Sequence, residues 1–191
     1  MDIKLIIIIA FSYLYAIFEI FMGVMQRSKR TKDIVKKGDR ASIWILFLFI
    51  GFGYYLAFRF GMSRMGRIYY WNTLFTIGAL MVIAGMIIRI VSILTLKQHF
   101  TYTVTKIEGH ELIETGFYKT IRHPGYLGQL IIFTGVAVSM SNWLSVICMF
   151  IPCFLGFIYR ITVEERFMKE QMGQKYLDYQ KRTKRLIPKI Y

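Results

Sequence analysis

Two neighbouring apolar runs meet at a cluster of residues able to do chemistry. One run begins with Arg122-His123-Pro124-Gly125-Tyr126-Leu127-Gly128, and the next ends in Arg160 followed by Glu164-Glu165. Ionisable groups beside lipid are costly, so their gathering at two helix ends needs a reason. Arg160 and Glu164 are four residues apart and share a helix face. The bland reading is an exposed ion pair worth roughly 0.3–0.5 kcal/mol. The chemical reading is a receptor: a carboxylate takes the amino group of a zwitterion, and the guanidinium takes a carboxylate or another anion. Pro124 suits the first turn of a helix and pushes His123 into an extended conformation. That predicts several free backbone N–H groups at the helix start, a place for an anionic group. Gly125 and Gly128 admit a ligand or another backbone, and Tyr126 offers a ring and a hydroxyl. An ordinary helix entry with an interfacial tyrosine would look the same.

These residues need a frame. Of the 191 residues, 55% are hydrophobic, too many for a soluble domain of this size. Crossing a hydrocarbon core takes about 20 apolar residues. Runs near 3–25, 41–60, 71–96, 126–140 and 143–163 qualify, the fourth being short. Only Ser141-Asn142 separates the last two, which predicts a tight helical hairpin. The expected fold is an all-α integral membrane protein with about five transmembrane helices. It forms a single domain over 1–191, with a loop at 97–125 and a helix at 164–191 outside the bilayer. The first run is too long for a signal-peptide core and lacks a small-residue cleavage site.

The net charge of +14 invites a nucleic-acid reading. Its distribution argues against that. Residues 26–40 carry seven Lys or Arg, 97–125 carry four and 164–191 carry eight, against Lys4, Arg59, Arg64 and Arg67 on the opposite side. Nineteen against four is a strong orientation signal. It places the N-terminus outside and the loop 97–125 and the tail in the cytoplasm, where basic segments attract anionic lipid headgroups. No nucleic-acid motif is present. Cys148 and Cys153 lie five apart inside one apolar run, which is no disulfide framework. Three histidines without cysteine spacing predict no metal site.

Residues 26–40 read as a solvated basic connector. Gly51, Gly53, Gly78 and Gly85 read as points of close helix approach. Glu19 and Arg89 interrupt apolar runs and are read as structural, with Arg89 near the cytoplasmic end and able to snorkel. Alternating β-branched residues over 101–107, a turn at Glu108-Gly109-His110 and a return over 111–116 predict a small extended or hairpin-like structure. Beyond Glu164, Phe167, Met168, Met172, Tyr176 and Tyr179 make one apolar helix face, with a break at Gly173. That helix either lies in the interface or covers the mouth of the bundle.

The order Gly109-His110-Glu111-Leu112-Ile113, Gly116-Phe117-Tyr118, Arg122-His123-Pro124-Gly125-Tyr126-Leu127-Gly128, then Glu164-Glu165, Gly173, Tyr176, Tyr179 and Arg185-Leu186-Ile187-Pro188 resembles the isoprenylcysteine carboxyl methyltransferase family, in its small prokaryotic form. The resemblance covers about half the chain, from near residue 97 onward. It implies a membrane enzyme using S-adenosylmethionine. It assigns His110, Glu111, Leu112, Ile113 and Tyr118 to the cofactor, His123, Pro124, Gly125 and Tyr126 to the next wall, and Glu164 to the cofactor's amino group. Arg160 would face the substrate. Where some members offer a glutamine, this chain has Thr103.

A carboxylate acceptor, with a pKa near 4, is already ionised at neutral pH. Methyl transfer to it needs alignment and exclusion of water, with Arg160 and Tyr126 as the catalytic candidates. A ring such as Tyr126 also suits a sulfonium cation. The expected partners are a lipophilic acceptor entering from the bilayer and the membrane lipids themselves. A phenolic lipid, a phospholipid amine or a thiol would need a base, for which His123, Tyr118 and Glu165 are available. A membrane scaffold or small transporter is the non-enzymatic alternative. It lacks support from inverted repeats or matched broken helices, and a scaffold has no need of the clustered Arg160, Glu164 and His123.

Overall fold

The computed structural model describes residues 3–30, 34–37, 41–96, 105–107 and 112–188. His110, Glu111 and Thr103 lie outside the described residues. Six helices and two short strands follow in the order α1 (Ile3–Arg30), β1 (Ile34–Lys37), α2 (Ala41–Gly61), α3 (Trp71–Leu96), β2 (Thr105–Ile107), α4 (Pro124–Ser139), α5 (Trp143–Met172) and α6 (Gln174–Arg182). A single 3-10 turn, Gly116–Lys119, precedes α4.

Four helices, α1, α2, α3 and α5, are long and apolar enough to cross a membrane. Their outward faces carry exposed Ile, Leu, Phe and Tyr. In water such a surface would aggregate; here it is the lipid-facing exterior of a multi-pass membrane protein. The fifth apolar helix, α4, has 16 residues. At 1.5 Å per residue it spans about 24 Å, short of a ~30 Å hydrocarbon core. It manages this by running through the interior, with most of its residues buried between α3 and α5.

The α3–α4 contact is made of backbone. A Cβ on Gly85 would sit 2.7 Å from the carbonyl oxygen of Gly128, and one on Gly128 would sit 2.8 Å from that of Gly85. Gly78 and Gly135 repeat the arrangement, at 2.5 and 2.8 Å. Small residues allow this approach, and dispersion across it replaces the hydrophobic drive that lipid cannot supply. Gly53 packs against α5, as expected, but Gly51 meets nothing within 4 Å. Gly51 is therefore not a packing site, because it points away from every neighbouring helix.

The α4–α5 turn is pinned to the α2–α3 loop. Asn142 caps α5 by accepting from the Ser145 N–H, and its amide donates to the carbonyls of Phe60 and Met65 at 2.9 and 2.7 Å. Arg67 donates to the carbonyls of Met140 and Gly61. Carbonyls left over at helix ends are thereby satisfied.

Three expectations change. First, α5 does not stop near residue 163. It continues to Met172, and Gly173 ends it at φ +54°, a left-handed conformation that glycine adopts without strain. Second, the turn expected at 108–110 lies outside the described residues, and the extended segment beside it is β2. It pairs antiparallel with β1, in the register Lys36 to Lys106 and Lys37 to Thr105. Third, the expected connector over 26–40 carries regular structure, since α1 runs to Arg30 and β1 covers Ile34–Lys37.

Candidate active site

At the start of α4, the chain enters the helix in the way Pro124 dictates. His123 is non-helical at φ −126°, ψ 56°, and Pro124 holds the first turn. The entry is less open than the sequence suggests. The N–H groups of Tyr126 and Leu127 both donate to the His123 carbonyl, and the His123 N–H donates to the Arg185 carbonyl at 3.0 Å. The expected row of free N–H groups is largely used within the chain.

The side chains do converge. The Tyr126 hydroxyl donates to Glu164 Oε2 at 2.9 Å and accepts from Arg160 Nε at 3.4 Å. Arg160 and Glu164, one turn apart on α5, are therefore joined through a phenol rather than by a direct ion pair. Arg160 is 1% exposed, and its Nη1 also donates to the Ser42 hydroxyl at the start of α2. The Tyr126 ring stacks on His123 with centroids 5.7 Å apart and leans on Phe157 at 5.4 Å. One face of the ring is thus occupied, and the hydroxyl is its main polar offer. Glu164 keeps about a quarter of its side chain exposed, so it is the accessible carboxylate of the pair.

Glu165 behaves differently. One residue on along a helix is a rotation of about 100°, which turns it away from Tyr126. Its carboxylate accepts from Arg122 Nε at 2.7 Å and from Arg185 Nε at 3.0 Å. Arg122 also donates to the carbonyls of Thr183 and Gln180. The Arg122 and Lys184 backbones bond as well, N–H to carbonyl at 2.7 Å. The segment Thr183–Leu186 is so strapped across the α4 entry. Tyr179 of α6 donates to the Tyr118 carbonyl at 2.7 Å, and Tyr176 and Tyr179 are buried. The tail packs across the α4 entry at the mouth of the bundle.

These groups line one end of a cavity of about 930 Å³. Leu112, Ile113, Tyr118, His123, Gly125, Tyr126, Arg160 and Glu164 face it, with Met168, Tyr176 and Tyr179 from the tail. Its other walls are mainly apolar residues of α1 and α2, among them Ile9, Ala16, Leu46, Phe47 and Ile50, interrupted by Glu19 and Arg89. One space therefore has a polar end and a greasy end. His123 Nε2 is buried at the polar end without a hydrogen-bond partner among the described residues, 3.4 Å from Glu165 Oε1 in a non-bonding geometry. A buried polar atom left unpaired is costly, and a bound polar ligand would satisfy it. Gly128 does not face the cavity; its missing side chain serves the α3 contact.

Two of the three proposed bases are poorly placed. Glu165 has both oxygens committed to guanidinium groups. Burial pushes the Tyr118 phenol well above its ordinary pKa, so it stays protonated. Among described residues no cluster of His, Cys, Asp or Glu suits a metal ion.

Sequence reasoning missed three features. Ser42 gave no signal at all. The Arg122–Glu165–Arg185 cluster was visible only as scattered charge. Glu19 and Arg89, read as separate, form a pair at 2.9 Å, with Arg89 3% exposed rather than snorkelling. Their opposite signs at similar depth in two apolar runs were the available clue.

Comparison with known proteins bears on this constellation. Protein-S-isoprenylcysteine O-methyltransferase B of Arabidopsis thaliana is 34% identical over 113 residues, 58% of this chain and 57% of that protein. The protein-S-isoprenylcysteine O-methyltransferase of Saccharomyces cerevisiae is 34% identical over 116 residues, covering 60% and 48%. Among solved structures, a eukaryotic intramembrane Ras methyltransferase, an isoprenylcysteine carboxyl methyltransferase, superposes with a TM-score of 0.61 at 26% identity. That superposition covers 75% of this chain and 52% of the other. The chain spans roughly half the length of these relatives. The resemblance drawn from the ordered motifs stands. The model of the phospholipid methyltransferase family matches residues 73–175, from α3 to the first turn of α6 and so including Tyr126, Arg160 and Glu164. With more than half of its length matched in this way, the chain belongs to the phospholipid methyltransferase family.

Proposed function

We propose that this chain is an S-adenosylmethionine-dependent methyltransferase acting at the membrane interface on the carboxylate of a lipophilic acceptor, a prenylcysteine-like thioether. The observation that carries the reading is the Tyr126 hydroxyl held between Arg160 and Glu164 at the polar end of a cavity whose other walls are mainly apolar. A zwitterionic, cationic cofactor and a fatty anionic acceptor call for such a division.

The residues present fit the cofactor. Glu164 offers its accessible carboxylate to an ammonium group, and His123 Nε2, 3.4 Å from Glu165 Oε1, makes no hydrogen bond among the described residues. Leu112, Ile113 and Tyr118 add an apolar and aromatic wall. His110 and Glu111 join this set on the strength of the resemblance. When bound, the cofactor supplies an electrophilic methyl group on a sulfonium. Arg160 orients the acceptor oxygen, since a guanidinium fixed by Ser42 and Tyr126 can pair a carboxylate in a defined geometry. Tyr126 fixes the spacing of Arg160 and Glu164. The apolar walls exclude water, which strengthens both electrostatic contacts. With Tyr118 and Glu165 poorly suited to proton abstraction, an acceptor that is already ionised is favoured over a phenol, an amine or a thiol.

The whole chain acts as one membrane domain. The charge distribution along the sequence supports an outside N-terminus, with the loop 97–125 and the tail in the cytoplasm, where the cofactor is available.

The deciding experiment is calorimetric titration of detergent-purified protein with S-adenosylhomocysteine, beside Glu164→Ala. Micromolar binding that the variant loses supports the reading. Folded wild-type protein that binds nothing overturns it.

A further inference from the structure

α1 forms part of the cavity wall, and near its start Lys4 ties it to α3 by donating to Asn72 and lying over the Trp71 ring at 5.3 Å. It packs chiefly on α4, where the Tyr15 ring meets Phe133 edge-on at 6.0 Å. Most of its remaining surface is exposed. One polar attachment stands out. Glu19 accepts from Arg89 of α3 at both carboxylate oxygens, at 3.0 and 2.9 Å, and Tyr15 donates to the same carboxylate at 2.6 Å. The two charged side chains are 3% and 14% exposed. In low dielectric such a pair resists separation, because parting deprives each charge of its counter-ion.

Arg89 also reaches the site. A Cβ on Gly125 would come within 2.8 Å of Arg89 Nη1, so the guanidinium lies against the helix start that carries Tyr126. Glu19, Tyr15 and Arg89 all line the cavity, together with Gln129. One arginine thereby touches both the α1 wall and the first turn of α4.

We infer that Glu19, acting through Arg89, is a positioning residue for the acceptor: the pair clamps α1 at a fixed distance from the α4 entry and sets how the acceptor's apolar chain lies relative to Tyr126 and Arg160. The inference rests on the methyltransferase reading and adds a specificity determinant outside its cofactor and acceptor-head contacts. Releasing the clamp lets the α1 wall move, so contact with a long chain weakens while the polar end keeps its geometry.

The test uses the full-length protein in lipid nanodiscs with S-adenosylmethionine and two acceptors that share an N-acetylcysteine head and differ in prenyl chain length. For Glu19→Gln, the KM of the long-chain acceptor rises about tenfold, the coupling expected of one clamp. The short-chain KM, kcat and S-adenosylhomocysteine affinity stay within about twofold of wild type. Tyr15→Phe keeps the ion pair and removes one hydrogen bond, so it moves the long-chain KM in the same direction by less. This milder variant keeps the test open where Glu19→Gln fails to fold. A chain-length profile equal to wild type in a variant that still binds S-adenosylhomocysteine overturns the inference. Loss of S-adenosylhomocysteine binding in Tyr15→Phe overturns it too, since the cluster would then serve the cofactor side. Wild-type protein that neither binds S-adenosylhomocysteine nor methylates either acceptor refutes the methyltransferase reading itself, a result distinct from both.

Discussion

A single hydroxyl, that of Tyr126, joins an arginine on one side to a carboxylate on the other. Tyr126→Phe removes both hydrogen bonds and keeps the ring. Its kcat/KM is expected to fall roughly 10- to 100-fold, the scale of hydrogen bonds to charged groups, with a stability loss of about 1–3 kcal/mol in a melting curve. Arg160→Lys keeps the charge and loses the planar fork. A fall of about 100-fold in kcat/KM, with S-adenosylhomocysteine affinity intact by calorimetry, would show that the guanidinium orients the acceptor. The pH dependence follows from the acceptor: a carboxylate with a pKa near 4 gives a kcat/KM flat between about pH 6 and 8. A rate rising through that range would point to a protonated nucleophile and to His123 as its base. Tyr126, Arg160 and Glu164 were legible in the sequence because helical spacing and a two-residue turn force them together. Glu165 was misjudged because adjacency does not say which face a side chain takes, and its guanidinium partners come from distant segments. Ser42 was illegible, since a serine at a helix start looks like any other.

At the scale of elements, two features carry consequences. The α3–α4 contact leaves no room for a methyl group at Gly128, because the obstructing atoms are the backbone of Gly85 and Arg89. Gly128→Ala must separate the helices, and a loss of about 1–3 kcal/mol is expected from a melting curve in detergent. The tail is held by charge. Glu165→Ala leaves Arg122, a largely buried arginine, without its carboxylate, a change worth about 3–5 kcal/mol. Limited trypsinolysis should then cut faster at Arg182 or Lys184, exposed side chains beside backbone that the intact strap holds to Thr120 and Arg122. The apolar runs and the break at Gly173 were readable because period and composition are local properties. The length of α5 was not, since its surface changes from apolar to charged at Glu164 while the backbone continues unbroken. The pairing of β2 with β1 was also hidden, because strand alternation marks an extended segment without naming its partner.

For the whole molecule, the proposed orientation makes a direct prediction. A cysteine placed at Arg64 should react with a membrane-impermeant maleimide on intact cells, and one at Lys184 only after permeabilisation. The parent chain, with Cys148 and Cys153 inside α5, sets the background. The reverse pattern would invert the topology. A last consequence belongs to the strap. The backbone of Thr120, Arg122 and His123 takes its partners from Lys184 and Arg185, which lie beyond every candidate membrane helix among the described residues. During synthesis the ribosome therefore delivers those helices before it delivers the residues that complete the α4 entry. These helices can be inserted in the bilayer while the pocket is still unfinished, so their insertion and the completion of the proposed cofactor site are separate events in biogenesis.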